Sequence, residues 1–327
     1  MKKSLIVLAV IFLFNTFLFC QNAENKNEPS TIVEFETEAG CFTGRIIENV
    51  WNVKRTNNGN QITLSPTTRL SMLDWQFLNA IYTGYKLNLE ISKKIVFSFD
   101  LFSTYSGKYG IMEDYDWKFV SEPDHLTNYS NHINIIEDFY QIEFMAGHSF
   151  RFGNKEKYVL TPKLGVQIQN ISFAGYGGFK LYEDHNWEVE AFENKTVIAY
   201  SQFFISPELL IENRFKLFSF MTINFDLGAT WIKTMEARDQ HCERNLFFID
   251  KIENAWLLQA KLAIFFKLGK NHKLGIKGGV QFIPESYGLS YSSTTSFEEM
   301  DNIPNFNNLG GTTRILGNYA IVYQLNF

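Results

Sequence analysis

The sequence predicts an all-β fold: a ten-stranded, antiparallel, up-and-down transmembrane β-barrel with long extracellular loops. Three observations carry that reading. Apolar and polar residues alternate with a period of two through ten segments, the connections between them alternate short and long, and the last residue, Phe327, shares a face with Tyr319, Ile321, Tyr323 and Leu325. The 327 residues are 16% aromatic, while 7 Pro, 21 Gly and 20% charged residues exclude a disordered or collagen-like chain. Three Cys are too few for a disulfide scaffold or a four-thiolate zinc site. A formal charge of −5 leaves no basic footprint, so nucleic acid is excluded as a partner.

Lys2 and Lys3 precede an apolar run from Leu5 to Phe19 that is short for a membrane span. Residues 1–20 are therefore expected to be an export signal peptide cut beside Cys20. Lipidation of Cys20 is the alternative, and the bulk of Phe19 counts against it. Residues 21–30 form a short polar segment, and residues 31–327 carry the barrel. Losing Lys2 and Lys3 takes the charge from −5 to −7.

The alternation is clearest from Phe215 to Trp231, where the odd positions are mostly apolar and Lys216, Thr222, Asn224, Asp226 and Thr230 lie between them. It recurs from Tyr158 to Ile168 and from Leu274 to Phe282. A strand sends successive side chains to opposite faces, so each segment has one apolar and one polar face. The ten segments begin near Thr31, Arg69, Lys94, His132, Lys157, Thr196, Phe215, Asn254, His272 and Arg314. Short basic turns are expected near Ser92–Lys94, Phe152–Lys157, Glu212–Arg214 and Gly269–Lys273. Long polar loops are expected at 48–68, 104–131, 170–195, 235–253 and 284–311. A secreted soluble sandwich or lipocalin-like barrel would alternate in the same way. Export, aromatic richness, loop asymmetry and the terminal Phe favour the outer membrane. With an even strand number both termini are periplasmic, so the long loops face outward.

Those loops hold 20 acids and 9 bases, a charge of −11, against +4 for the rest of the mature chain. An electronegative mouth concentrates cationic peptides or ions. Within it, Met112-Glu-Asp-Tyr-Asp-Trp sets Asp114 and Asp116 two residues apart, on one face if extended, with Tyr115 turned away. Likewise Asp239 and His241 are two apart. Asp beside His is the orienting pair of general-base catalysis, and two close carboxylates hold one proton near neutrality. Such spacings are also common among solvated charges, and the same side chains could ligate a hard divalent cation.

Ser71–Phe77 (SMLDWQF), the MEDYDW loop, the Asp239-Gln-His triplet and Gly40–Val50 (GCFTGRIIENV) together resemble stretches of the omptin family, in the same order and at compatible separations. The resemblance spans residue 31 to Phe327 and implies a ten-stranded outer-membrane protease with its active site on the extracellular side. It implies that Asp114 and Asp116 are the catalytic Asp couple and that Asp239 and His241 are the catalytic dyad. Glu48 matches an acid at the base of a pocket for a basic side chain, and Met112 an apolar residue lining it. The implied reaction is endopeptidase hydrolysis by an activated water, without cofactor or resident metal, on peptide or protein substrates, with cationic ones preferred, by a monomer. Cys242 is expected on the opposite face from His241 and so is not a nucleophile. Cys41 lies seven residues below Glu48, about 23 Å along a strand, too far to bridge to Cys242.

The chain also departs from the family. A second specificity acid two residues before the dyad Asp is here Ala237, which weakens the case for strict preference for Arg or Lys. Val159 and Phe203 align with outer-wall positions that bind lipopolysaccharide in the family, and neither can bond a phosphate, so dependence on that lipid is expected to be lost or moved to other positions. His125, His132, His148, His185 and His272 are expected to be surface or interfacial imidazoles. Asp74 is expected to pair in the polar interior, and Trp75, Phe77, Trp231 and Tyr323 to face lipid or its interface. The competing functions are a catalytically silent barrel acting as adhesin or surface receptor, and a passive pore, which ten side-chain-filled strands disfavour.

Overall fold

The computed structural model describes residues 31–58, 61–154, 156–298 and 308–327, so the expected signal peptide and the polar segment 21–30 lie outside the described residues. The strands are β1 (Thr31–Asn58), β2 (Gln61–Ile91), β3 (Ile95–Thr104), β4 (Gly107–Asp116), β5 (Asn128–His148), β6 (Phe150–Phe152) and β7 (Tyr158–Tyr182). They continue with β8 (Glu190–Ala191), β9 (Thr196–Lys216), β10 (Met221–His241), β11 (Leu246–Lys267), β12 (His272–Ser293) and β13 (Asn308–Asn326). All pairings are antiparallel, and β1 pairs with β13 from Glu34↔Asn326 to Asn52↔Asn308, which closes the sheet into a ring. β3 and β4 follow one another as a single wall strand between β2 and β5. The short β6 and β8 pair only with β7, leaving ten wall strands.

Two expectations need correction. The turn between the sixth and seventh wall strands is at Leu217–Phe220, not Glu212–Arg214. Its residues, Leu-Phe-Ser-Phe, continue the apolar rhythm and so hide the break. The long outer segments are also largely strand: β10 and β11 stay in register from Met221↔Phe266 to His241↔Leu246. Above the membrane both faces of a strand meet water or polar neighbours, so the alternation fades although the ladder continues.

A belt of irregularities crosses the wall at one level and changes which parity faces inward. On β2, Asn79 has a left-handed backbone (φ 52°), and Leu78 and Asn79 both turn outward. Register slips between Ile136 and Asp138 on β5, between Thr230 and Glu236 on β10, and between Ile283 and Ser286 on β12. On β11, Asn254 is left-handed (φ 56°). One extra residue in a ladder reverses the faces beyond it. Below the belt, Ile81, Tyr85, Phe225, Leu227, Trp231, Leu258, Leu262, Ile276, Ile315 and Ile321 form an apolar outer girdle.

The flip corrects three placements. Trp75 and Phe77 keep the odd parity of outward Ile81 but lie beyond Asn79, so both are buried in the core rather than facing lipid. Asp74 therefore takes the outward face, where Arg45 pairs with it at 2.6 Å. Phe203 does face outward, but Val159 is buried inside beside Thr161 and Lys163. Cys41 and Cys242 are both free thiols.

The interior has two layers. The lower one is ionic: Lys86 and Lys163 each meet Glu212 at 2.6 Å, Arg214 meets Glu34, and Lys277 meets Glu38 at 2.7 Å. Cavities of about 60 and 50 Å³ remain among these side chains, room for a few waters. At the belt an apolar plug closes the lumen, with Trp75 packed on Phe173 (4.9 Å) and Tyr200 (5.9 Å) and Phe42, Phe77, Phe102 and Phe139 beside them. In single-Trp variants, brominated lipid chains should quench Trp231 and Trp256 but leave Trp75 unaffected. Trp75→Ala should cost about 3–5 kcal/mol in urea-titrated unfolding.

Candidate active site

Immediately above the plug, strand ends from three sides of the ring turn acidic side chains inward. Glu48 on β1 is opposite Leu73 on β2, and Leu73 is opposite Asp114 on β4, so one hydrogen-bonded row carries both acids. Asp239 and His241 close β10, and the slip below Glu236 is what points them inward with Met235 and Ala237. Without it their odd parity would follow Trp231 into lipid.

Nε2 of His241 lies 2.8 Å from Oδ2 of Asp239, and both residues are buried. Burial disfavours the charged ring, but the charge and hydrogen bond of Asp239 outweigh it and raise the His241 pKa above 6.5. Nη2 of Arg244, in the turn after β10, is 2.7 Å from the other ring nitrogen, Nδ1. The ring also lies edge-on to Phe248. Asp114 faces this pair from the opposite wall, close enough that their charges act on each other. Burial, then repulsion from Asp116, pushes the Asp114 carboxyl up to about 7. Asp116 is half-buried and accepts from Nδ2 of Asn128 at 3.4 Å. Tyr115 turns outward and stacks on Trp117.

Two residues of the site, Asp250 and Arg244, carry no sequence expectation, and a third, His132, sits elsewhere than expected. Asp250 on β11 is paired directly across from Ala237, and it is 2% exposed, as is Glu48. Burial, and then the charge of Asp239, raises the Asp250 pKa to about 7, although Ser290 opposes the shift by a hydrogen bond. Glu48 is raised well above 4.5 by burial and by Asp239, Asp250 and Asp114. Gly310 makes the niche, since a Cβ there would lie 2.0 Å from the Asp250 carboxyl carbon. The reading of 235–253 as a loop hid the hairpin that sets Asp250 beside Ala237. Placing its turn at Cys242–Asn245 would have found it. His132, expected as a surface or interfacial imidazole, is buried in the barrel, with Nε2 2.8 Å from Oγ of Ser130 and its pKa lowered by burial. Arg244 carries no sequence signal beyond its closeness to His241.

Among the described residues, Oε2 of Glu48 and Oδ1 of Asp114, Asp239 and Asp250 are buried without a hydrogen-bonding partner. Buried acceptors of this kind suit a hydrogen-bond donor or a cation. Met112 lies fully buried below them and touches the Gly175 strand. Cys242 is half-buried, with its thiol 3.8 Å from the carbonyl of Gln240. No three His, Cys, Asp or Glu side chains among the described residues form a metal-holding group. Chemically, the arrangement offers an imidazole oriented by a carboxylate, a carboxylic acid able to donate a proton opposite it, and a floor of acids for a cation.

Comparison with known proteins agrees with this architecture. The chain is similar to Outer membrane protease OmpP of Escherichia coli K12, 22% identical over 291 residues covering 85% of this chain and 84% of that one. It is also similar to Protease 7 of Escherichia coli O157:H7, 23% identical over 253 residues covering 74% and 76% of the two chains. The crystal structure of outer membrane protease OmpT from Escherichia coli superposes with a TM-score of 0.76 at 16% identity, covering 93% of this chain and 100% of that one, a likeness of fold. The Omptin family model matches residues 33–316. By that match over most of its length, this chain, an outer-membrane β-barrel, belongs to the Omptin family.

Proposed function

We propose that the protein is a surface endopeptidase that hydrolyses peptide bonds with a water activated by Asp239 and His241. The observation that carries this is the buried 2.8 Å Asp239–His241 contact facing a carboxyl, Asp114, held near neutrality. Nε2–H of His241 donates to Asp239, which leaves Nδ1 as the base. Nδ1 takes a proton from water while the oxygen attacks the scissile carbonyl. Protonated Asp114 donates to the developing oxyanion, and Asp116 sustains that proton by repulsion. The imidazolium then passes its proton to the leaving amine. Relatives bearing protease names at low identity support the same reading.

The cation preference follows from the acids of the floor. Glu48 and Asp250 each present a buried oxygen without a partner, and a guanidinium or ammonium between them relieves their repulsion. Asp250 thereby supplies, from the neighbouring strand, a carboxylate beside Ala237.

Refolded protein should cleave basic fluorogenic peptides, and Asp114→Ala or His241→Ala should lower kcat on the order of a thousandfold or more. Equal turnover in all three proteins would end the mechanism and leave the adhesin or receptor reading. EDTA should leave wild-type turnover intact.

The pH profile should be a narrow bell. A base works unprotonated, so activity is lost as pH falls through the raised His241 pKa. The Asp114 proton is lost as pH rises through about 7, and Asp114→Asn should therefore remove the alkaline limb.

Asp250→Asn and Glu48→Gln should each cut the selectivity for Arg or Lys over Ala beside the cut, on the order of ten- to a hundredfold in kcat/KM. Cleavage of uncharged peptides should survive.

A further inference from the structure

We infer that Arg244 is a movable cap on the base: its guanidinium covers the lone pair of His241 Nδ1 in the substrate-free protein and must swing away for hydrolysis. This rests on the reading of His241 as the general base. A guanidinium has donors only, so at 2.7 Å from Arg244 the Nδ1 atom must accept, while Nε2 carries the hydrogen given to Asp239. The two contacts together hold the ring neutral in one tautomer. They also occupy its single lone pair, so no water can lose a proton to Nδ1 while Arg244 stays there.

The backbone around the cap is pinned and the side chain is not. Cys242 N–H donates to Val197 O at 2.8 Å, Arg244 N–H to His241 O at 3.2 Å, and Nδ2 of Asn245 to Thr294 O at 2.9 Å. Arg244 itself is exposed, so the guanidinium can leave by side-chain rotation without unfolding the turn. Asp239 from β10, Asp114 from β4, His132 from β5 and Arg244 are the charged or titratable groups acting on the ring, with Phe248 from β11 against its edge. Protonation of Nδ1 and the Arg244 contact exclude each other, because both partners would then be donors. Arg244 thus acts as a positioning residue that opposes premature protonation.

Carbethoxylation by diethyl pyrocarbonate needs a free imidazole lone pair and reads the cap without peptide substrate. Refolded full-length wild type, Arg244→Gln and Arg244→Lys are labelled near pH ~8, above the ordinary imidazole range. The label on His241 is then followed by peptide mass spectrometry, with exposed His148 as reference. Arg244→Gln should label on the order of tenfold faster at His241, with Arg244→Lys slower than Arg244→Gln. In peptide hydrolysis the acid limb of Arg244→Gln should move to higher pH, since the lost positive charge had disfavoured the imidazolium. Equal His241 labelling in wild type and Arg244→Gln would overturn the cap. Faster labelling with no peptide cleavage by either protein would leave the cap standing and remove the endopeptidase reading instead.

Discussion

A closed β-ladder leaves each residue only two directions, lumen or surroundings, and the whole molecule turns on where that binary choice is reversed. Below the belt at Asn79, Thr230–Glu236 and Asn254, the wall sends Ile81, Trp231 and Leu258 into hydrocarbon and Lys86, Glu212 and Lys261 inward. Beyond it the odd residues of β10 become the inward ones. Asp239 and His241 owe their position to that single-residue adjustment, as does the burial of Trp75. Bulges commonly re-aim side chains beside functional sites, and here a belt of them divides a membrane anchor from a chemical head.

The two halves also differ in how they treat charge. In the lower lumen acids and bases are matched at contact distance, as in Lys86–Glu212–Lys163 and Arg214–Glu34. Above the apolar plug, Glu48, Asp114, Asp239 and Asp250 are gathered beside the neutral ring of His241, with Arg244 as the nearby cation. Burying carboxylates is costly and raises the proton affinity of Glu48, Asp114 and Asp250. The plug makes that state possible by sealing the acids from the cations below. A low-dielectric floor under a ring of acids strengthens every charge that arrives.

Much of this was legible in the chain. β1, β3, β7 and β12, which start on the periplasmic side, begin where the alternation starts, because lipid on one side and a polar lumen on the other impose a strict period of two, whereas β2 and β11, which start outside, begin well before Arg69 and Asn254. The i, i+2 spacing of Asp114 with Asp116 and of Asp239 with His241 marked these residues as candidates, since an extended strand turns both members to one face, but only the resemblance to omptins set them apart from ordinary solvated charges. What the period could not show was its own interruption. Asn79 and Asn254 look like ordinary polar residues in sequence, yet their left-handed backbones reverse everything beyond them, which is why Trp75, Phe77 and Asp74 were assigned to the wrong faces. Asp250 was hidden for a different reason: its meaning comes from a cross-strand partner, Ala237, thirteen residues away, and lateral pairing leaves no mark along the chain. His132 was hidden likewise, since its burial depends on Ser130 and Gly177 closing around it.

The niche at Gly310 binds two positions into one unit. While the carboxylate stands on β11, any side chain at 310 would collide with it, and while 310 has a side chain, an acid at 250 has nowhere to sit. The two positions are thus coupled: a side chain at 310 would displace the carboxylate from the place it holds, so neither residue's contribution can be read without the other.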